Sequence, residues 1–243
     1  MKNQNFFFLP LCLVLLAITS CVVDDDGLFQ DCERGDGPVV EEVLNLSNFT
    51  GIDLKINANV YITQDNFFEV VAKGEQNVID ELELDVRNDT WDIEFDDCMK
   101  DYELDIYITM PFVEFLAISG SGEIRGETFI DPEDLTLRIS GSGEMCLGVF
   151  VEELDARITG SGDMELEGTA EEFDLKITGS GDVDAFKLIC EEADVDITGS
   201  GDASVHVLEF LKVRISGSGD VFYKGFPELD ISISGSGDVN DAN

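Results

Sequence analysis

The sequence predicts an all-β fold: a parallel β-helix, or β-solenoid, of about seven regular coils behind an irregular, β-rich N-terminal cap. Three observations predict it. From Phe115 to Val239 one phrase recurs seven times: Ile, then Ser or Thr, then Gly-Ser-Gly, then Asp or Glu. Its first glycine falls at Gly120, Gly141, Gly160, Gly179, Gly199, Gly217 and Gly235, in steps of 21, 19, 19, 20, 18 and 18 residues. Apolar residues alternate with polar ones on both sides of the phrase, as in Phe173, Leu175 and Ile177 before one glycine pair and Val183 and Ala185 after it. That is the period-two mark of strands with one buried face. Finally, two strands of about five residues cannot close a core alone, whereas like stacked on like at a ~4.8 Å spacing can.

Taken from the start, residues 1–21 read as a targeting segment. Lys2 supplies the positive end, and Phe6 to Ile18 is an apolar run of 13 residues, too short for a bilayer, which needs about 20. The ending Ile18-Thr19-Ser20-Cys21 resembles the lipobox of bacterial lipoproteins, which implies a lipid on Cys21 that holds the chain to a membrane. An ordinary secretory signal with an incidental cysteine is the alternative. Residues 22–38 open with Val22-Val23-Asp24-Asp25-Asp26, which resembles the surface-export signal of Bacteroidetes lipoproteins. That resemblance implies an outer-membrane lipoprotein, cell-surface exposed or periplasmic. On composition alone the run is a solvated acidic tether, followed by linker up to Pro38.

Residues 39–112 carry strand patterns without a repeat. Ile52, Leu54 and Ile56 alternate, as do Leu82, Leu84 and Val86, then Trp91, Ile93 and Phe95, then Leu104, Ile106, Ile108 and Met110. Asn88-Asp89 is a tight-turn signal between two runs, and Gln76 to Glu81 suits one helical turn. Pro111 removes a ladder donor and marks a break. A solenoid needs an atypical terminal unit, so this segment is the expected cap of one continuous domain, 39–243, whose regular part is 113–243. In that part glycine within a strand costs roughly 0.5–1 kcal/mol relative to alanine. Two glycines at the same place in every coil therefore predict a sharp corner, with positive φ or a close backbone approach that a Cβ would block. A phosphate-binding loop is excluded, because it needs a following helix and here a strand follows each time.

The strand-rich opening, the stretch Tyr107-Ile108-Thr109-Met110-Pro111 and the serial Ile-Ser/Thr-Gly-Ser-Gly-Asp/Glu coils together resemble the putative auto-transporter adhesin, head GIN domain family, over about Val40 to Val239. The resemblance implies an adhesin-like role, in adhesion or glycan and surface contact, and brings no catalytic residues; a purely structural envelope role is the alternative.

Charge bounds the partners. Against 14 basic residues stand 53 acidic ones, a net charge of −39, which excludes nucleic acid, since binding a polyanion requires a basic footprint. Of six cysteines, Cys12 leaves with the signal and Cys21 takes lipid. Cys32 with Cys98 is the candidate disulfide, tying linker to cap, with free thiols as the alternative for all that remain; Cys146 and Cys190 fall in different coils. No zinc spacing is present, and His206 is the single histidine.

Three sets of residues are candidate sites. Glu123, Glu144, Asp163, Asp182, Asp202, Asp220 and Asp238 follow the seven Gly-Ser-Gly triplets and should stack into one column. Two readings stay open: a ladder for cations such as Ca2+, or carboxylates that accept backbone N–H bonds at the corners. The seven first glycines are the structural corners. On the outward face, Ser or Thr before each triplet, with Arg138, Arg157, Lys176 and Arg214 two residues earlier, forms hydroxyls beside cations. That set suits glycan or carboxylate ligands, or else is a solvated ladder of cross-strand pairs with Asp155 and Asp174. Parallel β-helices also carry polysaccharide lyases and hydrolases, but uniform steps of 18–21 residues leave no insertion to wall a cleft, so no enzyme is expected. The last coil, with few residues after Val239, predicts weak end-to-end self-association.

Overall fold

The computed structural model describes residues 32–243. The expected signal segment, the lipidation at Cys21 and the acidic run at 24–26 lie outside the described residues. From Cys32 the chain forms β1 (Glu33–Arg34), β2 (Val39–Leu44), β3 (Gly51–Leu54), β4 (Asn59–Gln64), β5 (Glu69–Glu75), a helical turn α1 (Gln76–Asp80), β6 (Val86–Arg87), β7 (Thr90–Ile93), β8 (Met99–Lys100) and β9 (Leu104–Met110). The repeats follow as β10 (Phe115–Ile118), β11 (Glu123–Gly126), β12 (Asp134–Gly141), β13 (Glu144–Gly160), β14 (Asp163–Gly179), β15 (Val183–Gly199), β16 (Ala203–Gly217), β17 (Val221–Lys224), β18 (Glu228–Gly235) and β19 (Val239–Asp241).

The strands stack into a parallel β-solenoid. Each of β13 to β16 runs from one Gly-Ser-Gly corner to the next, so its first half belongs to one ladder and its second half to another. Ile139, Ile158, Ile177, Ile197, Ile215 and Ile233 stand in strict register, one per coil. Coil length follows from alternation. In β13, Met145, Leu147, Val149 and Val151 point inward; after the exposed pair Glu152-Glu153 the inward set becomes Leu154, Ala156 and Ile158. One such change of phase is what a 19-residue step requires, because an odd step cannot otherwise return period-two alternation to the same face. The 20-residue step to Gly199 contains a second change at Phe186-Lys187, where the register of β15 shifts.

The N-terminal segment does more than cover the first regular coil. β3 and β4 pair in parallel with β10 and β11 and thus form a coil of the same solenoid. β7 and β9 pair in parallel with β3 and β4 on their other side. The order in space is therefore 90–110, then 51–64, then 115–126, which is not the order in the chain. Pro111 opens the short segment by which the chain crosses back. Beyond β9 the direction changes: β5 is antiparallel to β9, and β2 is antiparallel to β5. This pair closes the N-terminal end. Residues from Cys32 on, expected as the end of a linker, are fastened to it by the Cys32–Cys98 disulfide, by β1 beside β8, and by Asn77, whose side-chain amide donates to the Arg34 carbonyl at 2.7 Å while its Oδ1 accepts from the Asp36 N–H at 3.0 Å. Asn88 and Asp89 both have positive φ, 51° and 59°, and turn β6 into β7.

One apolar core runs from Leu44 to Val221, with Trp91, Phe49 and Phe173 among its largest buried side chains. Trp91 keeps its indole N–H satisfied on the Glu83 carbonyl at 2.9 Å. At the far end β18 is exposed along its whole length, including Leu229, Ile231 and Ile233, which share register with the buried Leu211, Val213 and Ile215.

Candidate functional site

The corners set the geometry of every surface column. Gly141, Gly160, Gly179, Gly199, Gly217 and Gly235 all have φ between +131° and +145°. A Cβ on Gly179 would lie 2.1 Å from the Gly160 carbonyl oxygen, because that oxygen accepts the Ser180 N–H at 2.8 Å. The second glycine is confined likewise, since a Cβ on Gly181 would lie 2.1 Å from the Gly162 oxygen. Gly120 is the exception among the seven: it has no positive φ, and its Cβ would sit 3.4 Å from the Lys55 oxygen. The coil stacked against it is 51–64, whose corner has no Gly-Ser-Gly.

The acidic residues after the triplets stand in one column, and the aspartates among them bind the next coil. Asp163 Oδ1 accepts the Asp182 N–H at 3.0 Å, Asp182 that of Asp202 at 2.8 Å, Asp202 that of Asp220 at 2.7 Å, and Asp220 that of Asp238 at 2.8 Å. At the glutamate coils the same bond is made by the main chain: the Glu144 N–H donates to the Gly122 carbonyl and that of Asp163 to Gly143, both at 3.1 Å. Among the described residues no group of three or more His, Cys, Asp or Glu is arranged to hold a metal ion. The geometry thus gives Asp163, Asp182, Asp202 and Asp220 a backbone-capping role between coils.

On the outward face the hydroxyls Ser140, Thr159, Thr178, Thr198, Ser216 and Ser234 share one register position. Beside them Arg138, Arg157, Lys176, Asp196 and Arg214 share another. Asp196 divides this column. Arg214 lies 3.8 Å and Lys176 4.0 Å from Asp196, while Asp194 takes Lys212 at 2.8 Å and Arg214 at 3.0 Å. The distal cations are thus neutralised within the protein. Among the described residues neither Arg138 nor Arg157 has an ion pair; Arg138 lies over the Phe115 ring at 5.5 Å. A shallow depression of ≈ 230 Å³ is lined by Arg157, Lys176, Asp155, Asp174 and their distal neighbours. Desolvation, and after it crowding by Asp194 and Asp155, raises the Asp174 pKa. The repeats carry an acid at 196 where Arg138, Arg157, Lys176 and Arg214 stand in four other coils, which was the available signal for this division.

The remaining thiols lie apart. Cys146 is half-buried, and desolvation, then Glu165, raises its pKa. Cys190 is buried, its Sγ donates to the His206 carbonyl at 3.4 Å, and desolvation pushes its pKa up to about 12. Neither is a poised nucleophile.

Comparison with known proteins agrees with this architecture. Residues 48–227 match the family described as putative auto-transporter adhesin, head GIN domain. The chain belongs to that family. Its fold is similar to a crystal structure of a putative adhesin from Bacteroides fragilis, at 22% identity and a TM-score of 0.79, covering 85% of this chain and 98% of the other. A putative adhesin from Parabacteroides merdae aligns at 20% identity and TM-score 0.73, covering 88% and 100%. A putative lipid binding protein from Parabacteroides distasonis aligns at 21% and 0.66, covering 86% and 99%. No curated protein matches the sequence.

Proposed function

We propose that this protein is an outer-membrane lipoprotein, held through a lipid on Cys21, whose solenoid makes adhesive contact with glycans or surface proteins. Membership in an adhesin family supports surface or envelope association and a binding rather than a catalytic role. The observation that carries the ligand reading is local. In a chain of net charge −39, Arg138 and Arg157 stand on adjacent rungs with no carboxylate partner among the described residues, next to a register of hydroxyls. Guanidinium groups ~4.8 Å apart beside hydroxyls offer fork-shaped donors to a carboxylate or sulfate and donor–acceptor pairs to sugar hydroxyls. An acidic glycan is the ligand class that fits.

A glycan and matrix-protein binding screen tests this. The expected result is retention of uronate- or sulfate-bearing glycans that weakens with salt and is lost in Arg138→Gln/Arg157→Gln; equal retention by the double variant would overturn the assignment. For the anchor, Cys21→Ala should release the protein from the membrane fraction, and unchanged fractionation and processing would refute it.

The exposed β18 supports a second contact, weak end-to-end pairing of two copies. Sedimentation should show a concentration-dependent dimer that Ile231→Lys abolishes, and a strict monomer at high concentration would contradict it.

A further inference from the structure

A different edge of the solenoid carries a second surface. Where the inward phase changes, successive coils present a triad of one outward residue, one small buried residue and one glutamate: Phe150-Val151-Glu152, Thr169-Ala170-Glu171 and Ile189-Cys190-Glu191. Phe150, Thr169 and Ile189 stand in register. Together with Leu208 and Glu133 they line a groove of ≈ 620 Å³ that runs across the coils. Phe150, Ile189 and Leu208 are 40–49% exposed, on a molecule whose other apolar side chains mostly face the core. The aromatic end of the groove is fixed: the Phe129 ring stacks on Phe150 at 4.5 Å and 8°, and it rests over Gly148, where a Cβ would lie 3.0 Å from the ring. Glu133, Glu152, Glu171 and Glu191 make no ion pair with any lysine or arginine among the described residues.

The register of Ile189 continues to His206, and Leu208, two residues on, extends the apolar lining; apolar side chains beside unneutralised glutamates make the groove amphipathic, and its complement is apolar on one side and basic on the other. We propose that this groove docks a cationic amphipathic helical peptide segment, lying along the solenoid axis with its apolar face on Phe150, Ile189 and Leu208 and its lysines or arginines against the glutamates. The pitch favours a helix, because one turn advances ~5.4 Å while one rung advances ~4.8 Å, so each turn meets about one coil. Neighbouring carboxylates at that spacing repel one another, and a bound cation removes the repulsion as well as adding attraction. A second copy is not the occupant of this groove, since with 14 basic residues against 53 acidic ones it is a poor source of the basic face that four glutamates require. Residues 1–31 do not fit either, with Lys2 as their one basic side chain.

The test is fluorescence anisotropy with a labelled leucine–lysine helical peptide of about four turns, a scrambled peptide of equal composition, and zwitterionic phosphatidylcholine vesicles. The leucine–lysine peptide should bind more tightly than its scramble, and binding should weaken as salt rises. Glu152→Gln/Glu171→Gln should weaken it tenfold or more, and so should Ile189→Ser/Leu208→Ser, with the melting midpoint checked for each. Glu228→Gln/Asp230→Asn removes the same charge elsewhere and should leave binding within twofold. Equal binding of the scramble, equal loss in the Glu228/Asp230 control, or no loss in either groove variant would overturn the proposal. So would vesicle binding that depends on Ile189 and Leu208 in the absence of peptide binding, which would assign the groove to lipid.

Discussion

The two N-terminal coils and the regular coils share one pair of ladders and turn their corners by different physics. In the regular coils the corner is made of backbone. From Gly141 on, each first glycine sits over the carbonyl of the first glycine one coil back, at a φ and a separation that no side chain permits, and Asp163, Asp182, Asp202 and Asp220 each cap the next coil's amide. In the coil 51–64 the corner runs through Lys55 to Ala58, and side chains hold it: Lys55 lies 2.9 Å from Asp92 and 3.1 Å from Glu94 on the neighbouring coil. From Gly141 on, repetition therefore sustains the corner, because each first glycine must clear the carbonyl of the first glycine one coil back.

The largest expected effect separates two glycines of the same motif. Gly179→Ala should cost about 3 kcal/mol or more, since it forces a close backbone clash at positive φ. Gly120→Ala should cost less than about 1 kcal/mol, with its Cβ at ordinary contact distance and no positive φ. Ser180→Ala, exposed beside Gly179, should lie within about 0.5 kcal/mol of wild type. Equal shifts in chemical denaturation midpoint for the two glycines would break the comparison.

Next in size is the disulfide of the irregular end. Cys32 and Cys98 are 66 residues apart in sequence, and removing such a link costs about 2–4 kcal/mol. Cys32→Ser/Cys98→Ser should lower the midpoint by that amount, and hydrogen exchange should rise first in β1, β2 and β8. Uniform loss of protection down to β16 would mean that the two regions are not separable.

Much of this contrast was legible in the sequence. The seven glycine positions, the alternation around them and the Asn88-Asp89 turn each have a local signal. The position of coil 51–64 between 90–110 and 115–126 does not, because β3, β4 and β7 are short and unrepeated and their order in space depends on long-range pairing. Val60, Ile62, Val70 and Ala72, all buried, likewise stand in short strands that no repeat announces. At the surface, the hydroxyl and cation columns follow from repeat alignment. The capping of one coil's amide by the previous coil's aspartate, and the Phe150 row at the phase change, require the stacking itself.

A smaller effect distinguishes capping from cation binding in the acidic column. Sodium chloride should raise the melting midpoint by screening self-repulsion, and calcium chloride at equal ionic strength should give the same midpoint. Asp202→Ala should cost about 1 kcal/mol by orphaning the Asp220 N–H, and Asp202→Asn, which keeps an acceptor, should cost less. A calcium increment that Asp182→Asn/Asp202→Asn removes would favour the cation ladder.

The smallest concerns pH at the irregular end. Desolvation, opposed by the Ser119 hydroxyl and Lys55, raises the pKa of Asp53 above its ordinary 3.8, and its Oδ1 is buried without a partner among the described residues. A carboxyl whose folded pKa is raised holds its proton more firmly in the folded state, so its burden on stability is full at neutral pH. That burden lifts as pH falls through the raised value and is gone below 3.8. Asp53→Asn should therefore stabilise at pH 7 and lose that advantage on acidification; a pH-independent difference would contradict the assignment.

The central claim is that stacking identical corners sets out an outward row whose proximal cations are open and whose distal cations are closed. The most direct measurement is the affinity for a uronate-bearing oligosaccharide of two single variants, Arg157→Gln and Arg214→Gln, which remove equal charge from one register column. The account predicts at least a tenfold loss for Arg157→Gln and less than a twofold change for Arg214→Gln, whose cation is already held by Asp194 at 3.0 Å. Equal effects of the two variants, or a greater loss at Arg214, would contradict it.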